Sequence, residues 1–270
     1  MSDIKTDSLW LMQGDCLERM KEIPDGSVDM ILADPPYGTI ACEWDLVIPL
    51  DKMWEQLKRV IKPNGAIVLF GQEPFSSTLR LSNIKDFKYD IYWKKEKPTN
   101  FFQLKKRIGK CTEVISVFYA KQPTYNPQMT VHEGKLVTNK PKSSHNSITS
   151  GKNSGTITPY SDNGLRYPTD VVEIRREKLG STVHPTQKPV ALMEYLIKTY
   201  TTESETVLDF TMGSGTTGIA AVRHGRRFVG IELNKKYFDV ACQRISDELA
   251  RPNFLVDAPP PAKQLSLMGK

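Results

Sequence analysis

The sequence predicts an α/β protein built on a doubly wound, mixed sheet with an irregular insert. Three observations carry that expectation. Strand-like apolar runs alternate with helical spacing over residues 8–71 and again over 190–249. Two further apolar runs, 87–93 and 114–120, follow each other with no helical pattern between them. Residues 121–168 are rich in Ser, Thr, Asn, Gly, Pro and Lys and poor in apolar residues. The alternation is the rhythm of βαβ units, whose parallel sheet is covered by helices on both faces.

Taken in order, SLWLMQG (8–14) reads as a short strand. Cys16–Ile23 makes one or two helical turns, closed by Pro24, Asp25 and Gly26. VDMILAD (28–34) is a buried strand that ends at two prolines, which cannot donate to a ladder. Over Leu50–Ile61, the residues Leu50, Met53, Trp54, Leu57, Val60 and Ile61 share one helical face. Lys62-Pro63-Asn64-Gly65 stops that helix, and AIVLFG (66–71) is the next buried strand. FKYDIYW (87–93) and VISVFYA (114–120) suit the antiparallel members of a mixed sheet. Regular structure resumes with a helix over Val190–Tyr200, its Leu192, Met193, Leu196 and Ile197 facing inward. TVLDF (206–210) is a strand, Gly215–His224 a helix opening from a glycine-rich turn, and RRFVGIE (226–232) a strand. Asn234–Leu249 is an amphipathic helix with Asn234 as its N-cap. The Pro-rich end, from Arg251, reads as a disordered tail.

Composition excludes several classes. No apolar run approaches the roughly 20 residues of a membrane span. The start, MSDIKTDSLW, mixes acids and polar residues and lacks the pattern of a secretory signal. Cys16, Cys42, Cys111 and Cys242 lie far apart with no C-x-x-C, which excludes a zinc knuckle and argues against a disulfide framework. A reduced, cytoplasmic protein is expected. No paired histidines with a carboxylate suggest a metal site. The net charge of +6 is unevenly spread: residues 1–84 carry 8 basic and 13 acidic side chains, and residues 85–110 carry 9 basic and 3 acidic. That short basic segment also holds Tyr89, Tyr92, Trp93, Phe101 and Phe102. Cations interleaved with aromatics suit a polyanion with exposed bases.

Gly213-Ser214-Gly215-Thr216-Thr217-Gly218 is a literal G-x-G-x-x-G between a strand and a helix, and Glu232 ends the next strand. Such a loop allows close backbone approach to a ligand, and the acid accepts ribose hydroxyls. With no lysine after the glycines, a nucleoside-triphosphate loop is excluded. A dinucleotide such as NAD and S-adenosylmethionine both fit, and the loop alone does not choose between them.

Asp34-Pro35-Pro36-Tyr37 follows the apolar run VDMILA, at the strand end where open α/β sheets bind ligands. The turn offers a carboxylate, carbonyls with no competing N–H groups, and an aromatic face. An exocyclic base amine is a poor nucleophile because its lone pair is delocalised into the ring. Two acceptors on its two N–H groups, Asp34 and the Pro35 carbonyl, favour a more tetrahedral nitrogen. Tyr37 can stack on the base, which must first be flipped out of a duplex.

With these pieces the chain resembles the amino-group DNA methyltransferases of the beta arrangement, which methylate adenine N6 or cytosine N4. The matching segments are GDCLERM (14–20), ADPPYGT (33–39), YWKKEK (92–97), EVISVFY (113–119), HPTQKPV (184–190), VLDFTMGSGTT (207–217) and GIELNKKYFDVACQRI (230–245). The resemblance implies a Rossmann-like methyltransferase fold in permuted order. Residues 1–120 would be the catalytic half, 121–180 the target-recognition insert, 181–249 the S-adenosylmethionine-loop half and 250–270 the tail. It further implies an enzyme that transfers a methyl group from S-adenosylmethionine to adenine N6 in duplex DNA, since Asp rather than Ser opens the tetrapeptide. Cytosine N4 is the alternative within the enzyme class, and a non-catalytic DNA-binding protein on the same scaffold the alternative outside it.

By the resemblance, Asp209, Thr211, Gly213, Ser214, Gly215 and Thr216 would hold the methionine end of the cofactor, Glu232 its ribose and Asp15 its adenine amine. Asp34 also borders that cofactor site. Thr186, Gln187 and Lys188 would lie along its methionine carboxylate. His184 reads better as structural than as a general base. The family often has Pro-Phe after the strand-ending Asp, where this chain has Phe210-Thr211-Met212. Cys16 or Cys42 as a nucleophile would imply cytosine C5 chemistry, which usually carries a Pro-Cys that is absent here. Lys94, Lys95, Lys97, Lys105, Lys106, Arg107 and Lys110 are expected to face phosphates, and insert residues including Lys140 and Arg166 to meet DNA. Relatives often dimerise, so a homodimer is an expectation by analogy. Gln264-Leu265-Ser266-Leu267-Met268 resembles the short peptide by which bacterial replication proteins dock on the sliding clamp.

Overall fold

The computed structural model describes residues 3–38, 46–131, 164–176 and 187–251. In chain order these form β1 (Ile4–Lys5), β2 (Leu9–Gln13), α1 (Cys16–Arg19), β3 (Val28–Ala33), α2 (Leu50–Val60), β4 (Ile61–Gly71), α3 (Phe75–Ser82), β5 (Phe87–Lys94) and β6 (Thr112–Phe118). There follow β7 (Thr130–Val131), β8 (Leu165–Arg166), β9 (Val171–Glu173), α4 (Val190–Tyr200), β10 (Thr206–Asp209), α5 (Thr216–Arg223), β11 (Arg227–Glu232) and α6 (Lys235–Leu249).

Nine strands make one sheet in the order β1-β2-β11-β10-β3-β4-β6-β5-β9. The run β2-β11-β10-β3-β4 is parallel throughout. β6 runs against both β4 and β5, and β9 is parallel to β5. The expected antiparallel pair in a mixed sheet is therefore present. The carboxyl ends of β2, β11, β10, β3, β4 and β5 all reach the same edge, and β6 begins there. The winding reverses between β3 and β10, which opens a crevice at that edge.

Period-two alternation supplies both faces of the sheet. Met30, Leu32, Val68 and Phe70 pack with Leu192, Leu196, Ile219, Phe238 and Ile245 of α4–α6. Ile31, Ile67, Leu69 and Leu208 pack with Met53, Trp54 and Leu57 of α2 and Leu79 of α3 on the other face. Asn234 caps α6, accepting from the backbone N–H groups of Lys236 and Tyr237.

Three elements differ from the sequence expectation. α3 carries Ser76, Ser77 and Ser82 with few apolar residues, so only Phe75 and Leu79 mark its buried face, and packing decides it. α2 passes directly into β4: Val28 pairs Ile61 and Met30 pairs Ala66, so residues 62–65 bulge out of the ladder rather than ending the element. β9, inside the stretch read as insert, is an edge strand of the main sheet, held by long-range pairing with β5. The near side of the insert is also fastened, because the Asn126 amide donates to the carbonyls of Lys198 and Thr201, at 3.1 Å each. The Gln264–Met268 tail lies outside the described residues. Among the described residues, no helix is long and apolar enough to cross a membrane.

Gly215 opens α5 in the left-handed region at φ +80°, and a Cβ there would lie 3.0 Å from the Ala241 Cβ and 3.1 Å from its Cα. Gly213 has φ +53° but open space around the same position. Gly215→Ala is expected to cost about 2–3 kcal/mol in backbone strain and overpacking, which thermal melting reads as a drop of about 4–12 °C. Gly213→Ala should lose about half as much, because only the backbone term applies.

Candidate active site

The crevice between the two halves of the sheet is a cavity of about 1240 Å³. Its wall is made by the turns after each parallel strand: Gly14–Leu17 after β2, Asp34–Tyr37 after β3, Asp209–Ser214 at the end of β10, and Glu232–Asn234 at the end of β11. Gln72, Lys95, Glu113, Gln187 and Lys188 also line it.

Asp34 is held from two sides. Lys188 Nζ donates to its Oδ2 at 2.5 Å, and the Tyr37 hydroxyl donates to its Oδ1. Lys188 also pairs with Glu113 at 3.3 Å, and Glu113 pairs in turn with Lys95. Both lysines are buried. Burial works against the Lys188 charge, but Asp34 and then Glu113 outweigh it and hold the ammonium above the ordinary lysine range. Glu113 is pushed up by burial but held below the usual carboxylate range by Lys188 and Lys95. Burial brings Lys95 down to about 8 against the opposing pull of Glu113. The result is a buried chain of alternating charge that ends on Asp34. The Tyr37 ring rests against Phe75, centroids 5.2 Å apart.

On the β10 side, Asp209 accepts from the Thr217 hydroxyl at 2.6 Å and from the Thr211 N–H at 3.1 Å. Burial pushes its carboxyl up to about 7; the hydrogen bonds oppose this, and the charges of Asp34 and Glu232 add to it. Glu232 accepts from the Gly213 N–H at 2.8 Å and the Asn234 N–H at 2.7 Å, fastening the glycine loop to the end of β11. Burial raises this carboxyl too. Ser214 donates to Gln187 Oε1 at 3.3 Å and accepts from Arg244 at 2.9 Å. Asp15 caps α1, its Oδ1 accepting from the N–H groups of Leu17 and Glu18.

These residues fit S-adenosylmethionine. The Thr211 hydroxyl is buried in the cavity wall without a hydrogen-bond partner, and nothing lies within 4 Å of where a Gly213 Cβ would stand. A polar end carrying both an ammonium and a carboxylate would find Asp209, the Thr211 hydroxyl and the loop N–H groups there. Asp15, Leu17, Asn234 and Tyr237 line the part of the cavity toward α1 and α6, where Glu232 and Asp15 would meet the nucleoside.

The structure brings Asp15, Asp34–Tyr37, Gln187, Lys188, Asp209, Thr211, Gly213, Ser214, Thr216 and Glu232 to this one cavity. Gly215 supports the loop from behind, against α6. Thr186 and His184 fall outside the described residues, as do Lys140 and Cys42. Lys188 lines the cavity and pairs with Asp34, a contact that the sequence does not predict. Three cations expected on phosphates are engaged in the body. Lys94 pairs with Glu173 at 2.6 Å, because β9 sets the two in register. Lys95 is buried on Glu113, and Lys110 donates to Gln72 at 3.0 Å. Lys97, Lys105, Lys106 and Arg107 are exposed, and Arg166 lies in β8. Burial, with Asp15 adding to it, pushes the Cys16 thiol up to about 12, which removes it as a nucleophile. Glu113 and Phe75 escaped the sequence reading. The signal for Glu113 was a carboxylate opening an otherwise apolar strand, and Phe75 had none.

Residues 28–243 match the family model described as DNA methylase. The DNA adenine methyltransferase YhdJ of Escherichia coli K12 is 32% identical over 266 residues, which cover 89% of this chain and 86% of that protein. The crystal structure of the M1.HpyAVI–SAM complex superposes with a TM-score of 0.57 at 28% identity, covering 87% of this chain and 99% of that one. The PvuII cytosine-N4-specific DNA methyltransferase shares the fold, with a TM-score of 0.64 at 17% identity over 91% of this chain and 92% of that one. With a cavity of this make-up and a family match over most of its length, the chain belongs to the DNA methylase family.

Proposed function

We propose that this chain is an S-adenosylmethionine-dependent DNA methyltransferase acting on the exocyclic N6 amine of an adenine flipped out of duplex DNA. One observation carries the reading. Asp34 is fixed by Lys188 and Tyr37 at the end of β3, beside the β10 loop whose lining suits the cofactor.

When bound, the cofactor supplies a sulfonium methyl already activated for in-line transfer. The residues of the chain have the remaining work. Asp34 and the Pro35 carbonyl accept the two N–H groups of the amine and draw its nitrogen toward tetrahedral geometry. Lys188 and Tyr37 keep the carboxylate of Asp34 from swinging away, so positioning supplies much of the rate. The proton shed by the nitrogen passes to Asp34 or to water. Asp209, Thr211, Gly213, Ser214 and Thr216 hold the methionine end of the cofactor, Glu232 the ribose and Asp15 the adenine amine. Lys97, Lys105, Lys106 and Arg107 supply phosphate contacts, and Lys140 and Arg166 of the insert meet base edges. Association into homodimers, and docking of Gln264–Met268 on a sliding clamp, rest on family analogy and sequence alone.

The direct test is incubation with labelled S-adenosylmethionine and mixed-sequence duplex DNA, digestion to nucleosides and mass spectrometry. N6-methyldeoxyadenosine is the expected product. N4-methyldeoxycytidine would overturn the base assignment, and no methylated nucleoside would overturn the reading. Asp34→Ala should lower turnover by at least about 10²-fold, the scale of one lost preorganised polar group, and leave cofactor affinity, read by calorimetry, largely intact. Asp209 gives a test through pH. Its folded-state carboxyl titrates near 7 and the unfolded one near 3.8, so the folded chain binds the extra proton between them. Stability should therefore fall as pH rises through that window. Asp209→Asn should melt above the wild type at pH 8, the gap should close toward pH 5, and cofactor binding should weaken.

A further inference from the structure

Residues 95–111 leave β5 and return to β6 at the edge of the sheet that holds the cavity, and Lys95, Thr99 and Lys110 line its wall. The neck of this loop is closed by backbone bonds from Lys95 N–H to Cys111 O at 2.7 Å and from Thr99 N–H to Lys110 O at 2.9 Å. The Asn100 amide donates to Ile108 O at 3.0 Å, and its oxygen accepts from the Lys110 N–H at 2.7 Å. Gly109 is packed so closely that a Cβ would lie 2.9 Å from Pro98 and 3.0 Å from Leu104. The tip over residues 101–108 is therefore a shaped structure.

That shaped tip leaves its apolar side chains in water. Phe102 is 99% exposed, Ile108 93% and Phe101 68%. The two phenylalanine rings meet edge to face with centroids 5.9 Å apart, and Lys105, Lys106 and Arg107 are exposed in the same tip. Exposed aromatic surface forfeits its burial energy unless a partner covers it. Cations beside it select a polyanion, and a flat ring suits the faces of stacked bases.

Flipping a nucleotide costs stacking and pairing energy and leaves a gap in the duplex. We propose that Phe102, backed by Phe101, enters that gap while Lys105, Lys106 and Arg107 hold the flanking phosphates. The inference rests on the reading of the chain as an enzyme that acts on a flipped base, and it assigns the side chain that keeps the duplex open.

The test uses the full chain with S-adenosylmethionine and a fluorescent duplex of arbitrary sequence, intact or carrying one abasic site. The wild type is expected to bind the abasic duplex about tenfold more tightly, the factor given by one modest base–aromatic stack. Phe102→Ala should lose that preference, and Phe102→Trp should restore it. Phe102→Ala should still bind the cofactor as the wild type does, because the side chain touches neither the core nor the cavity. An equal loss on both duplexes, a preference that survives Phe102→Ala, or a wild type with no preference would overturn the proposal. A chain that transfers no methyl group yet shows the Phe102-dependent preference would overturn the methyltransferase reading and leave the wedge standing.

Discussion

Lys188 makes the site possible. Topology gathers Asp34, Glu113, Asp209 and Glu232 at one edge of the sheet, because parallel strands deliver their carboxyl ends together and β6 begins there. Four acids around one cavity repel one another and lose their hydration. The buried Lys188 ammonium, 2.5 Å from Asp34 and 3.3 Å from Glu113, offsets two of them, with the buried Lys95 sharing Glu113. Lys188 reaches Asp34 across 154 residues of sequence, so the pair also ties the two halves of the chain together at the point of chemistry. Removing Lys188 would leave Asp34 without its cation and Glu113 with Lys95 alone, and breaking a buried network in this way costs more than the net worth of the pair. Asp209 has hydrogen bonds but, among the described residues, no ion pair, and burial raises its proton affinity. The same edge thus holds one carboxylate stabilised by a cation and another kept close to neutrality.

Much of this was legible in the chain because short-range patterns carried it. Strand runs ending at Asp34 and Asp209, the glycine loop and the Asn234 cap are each written in a few consecutive residues, and the structure has them in place. What escaped depends on long-range contact. Lys95 sits in a basic run, and nothing local marks it as buried on Glu113. Lys94 pairs with Glu173 only because β9 arrives beside β5. α3 has little apolar pattern and low propensity, so its existence follows from the space that Phe75 and Leu79 fill beneath Tyr37 and α2. The pairing of Lys188 with Asp34, 154 residues away, is likewise invisible in its own segment.

Local rules are broken where the chain has work to do. Left-handed backbone at Gly213 and Gly215, two buried lysines, an orphaned Thr211 hydroxyl and a Phe102 left in water all fall on one edge of the sheet. Each exception lowers stability, and the two apolar layers that sandwich the sheet supply the margin that permits them.

Permuted order does not disturb this arrangement. The crevice depends on which strands are neighbours, and β3 beside β10 gives the same opening whichever half comes first in the chain. What order does decide is where an insert can hang. Between β6 and α4 it leaves the body near Asn126, pinned to the end of α4, and returns as β9 beside β5. β5 also leads into the loop that lines the cavity through Lys95 and Lys110 and carries Phe102 at its tip. On the proposed reading, contacts to a duplex would hang from β5, while the reacting amine would meet Asp34 and Pro35 at the end of β3. A duplex held at the tip of that loop would be linked to Asp34 through the Lys95–Glu113–Lys188 chain.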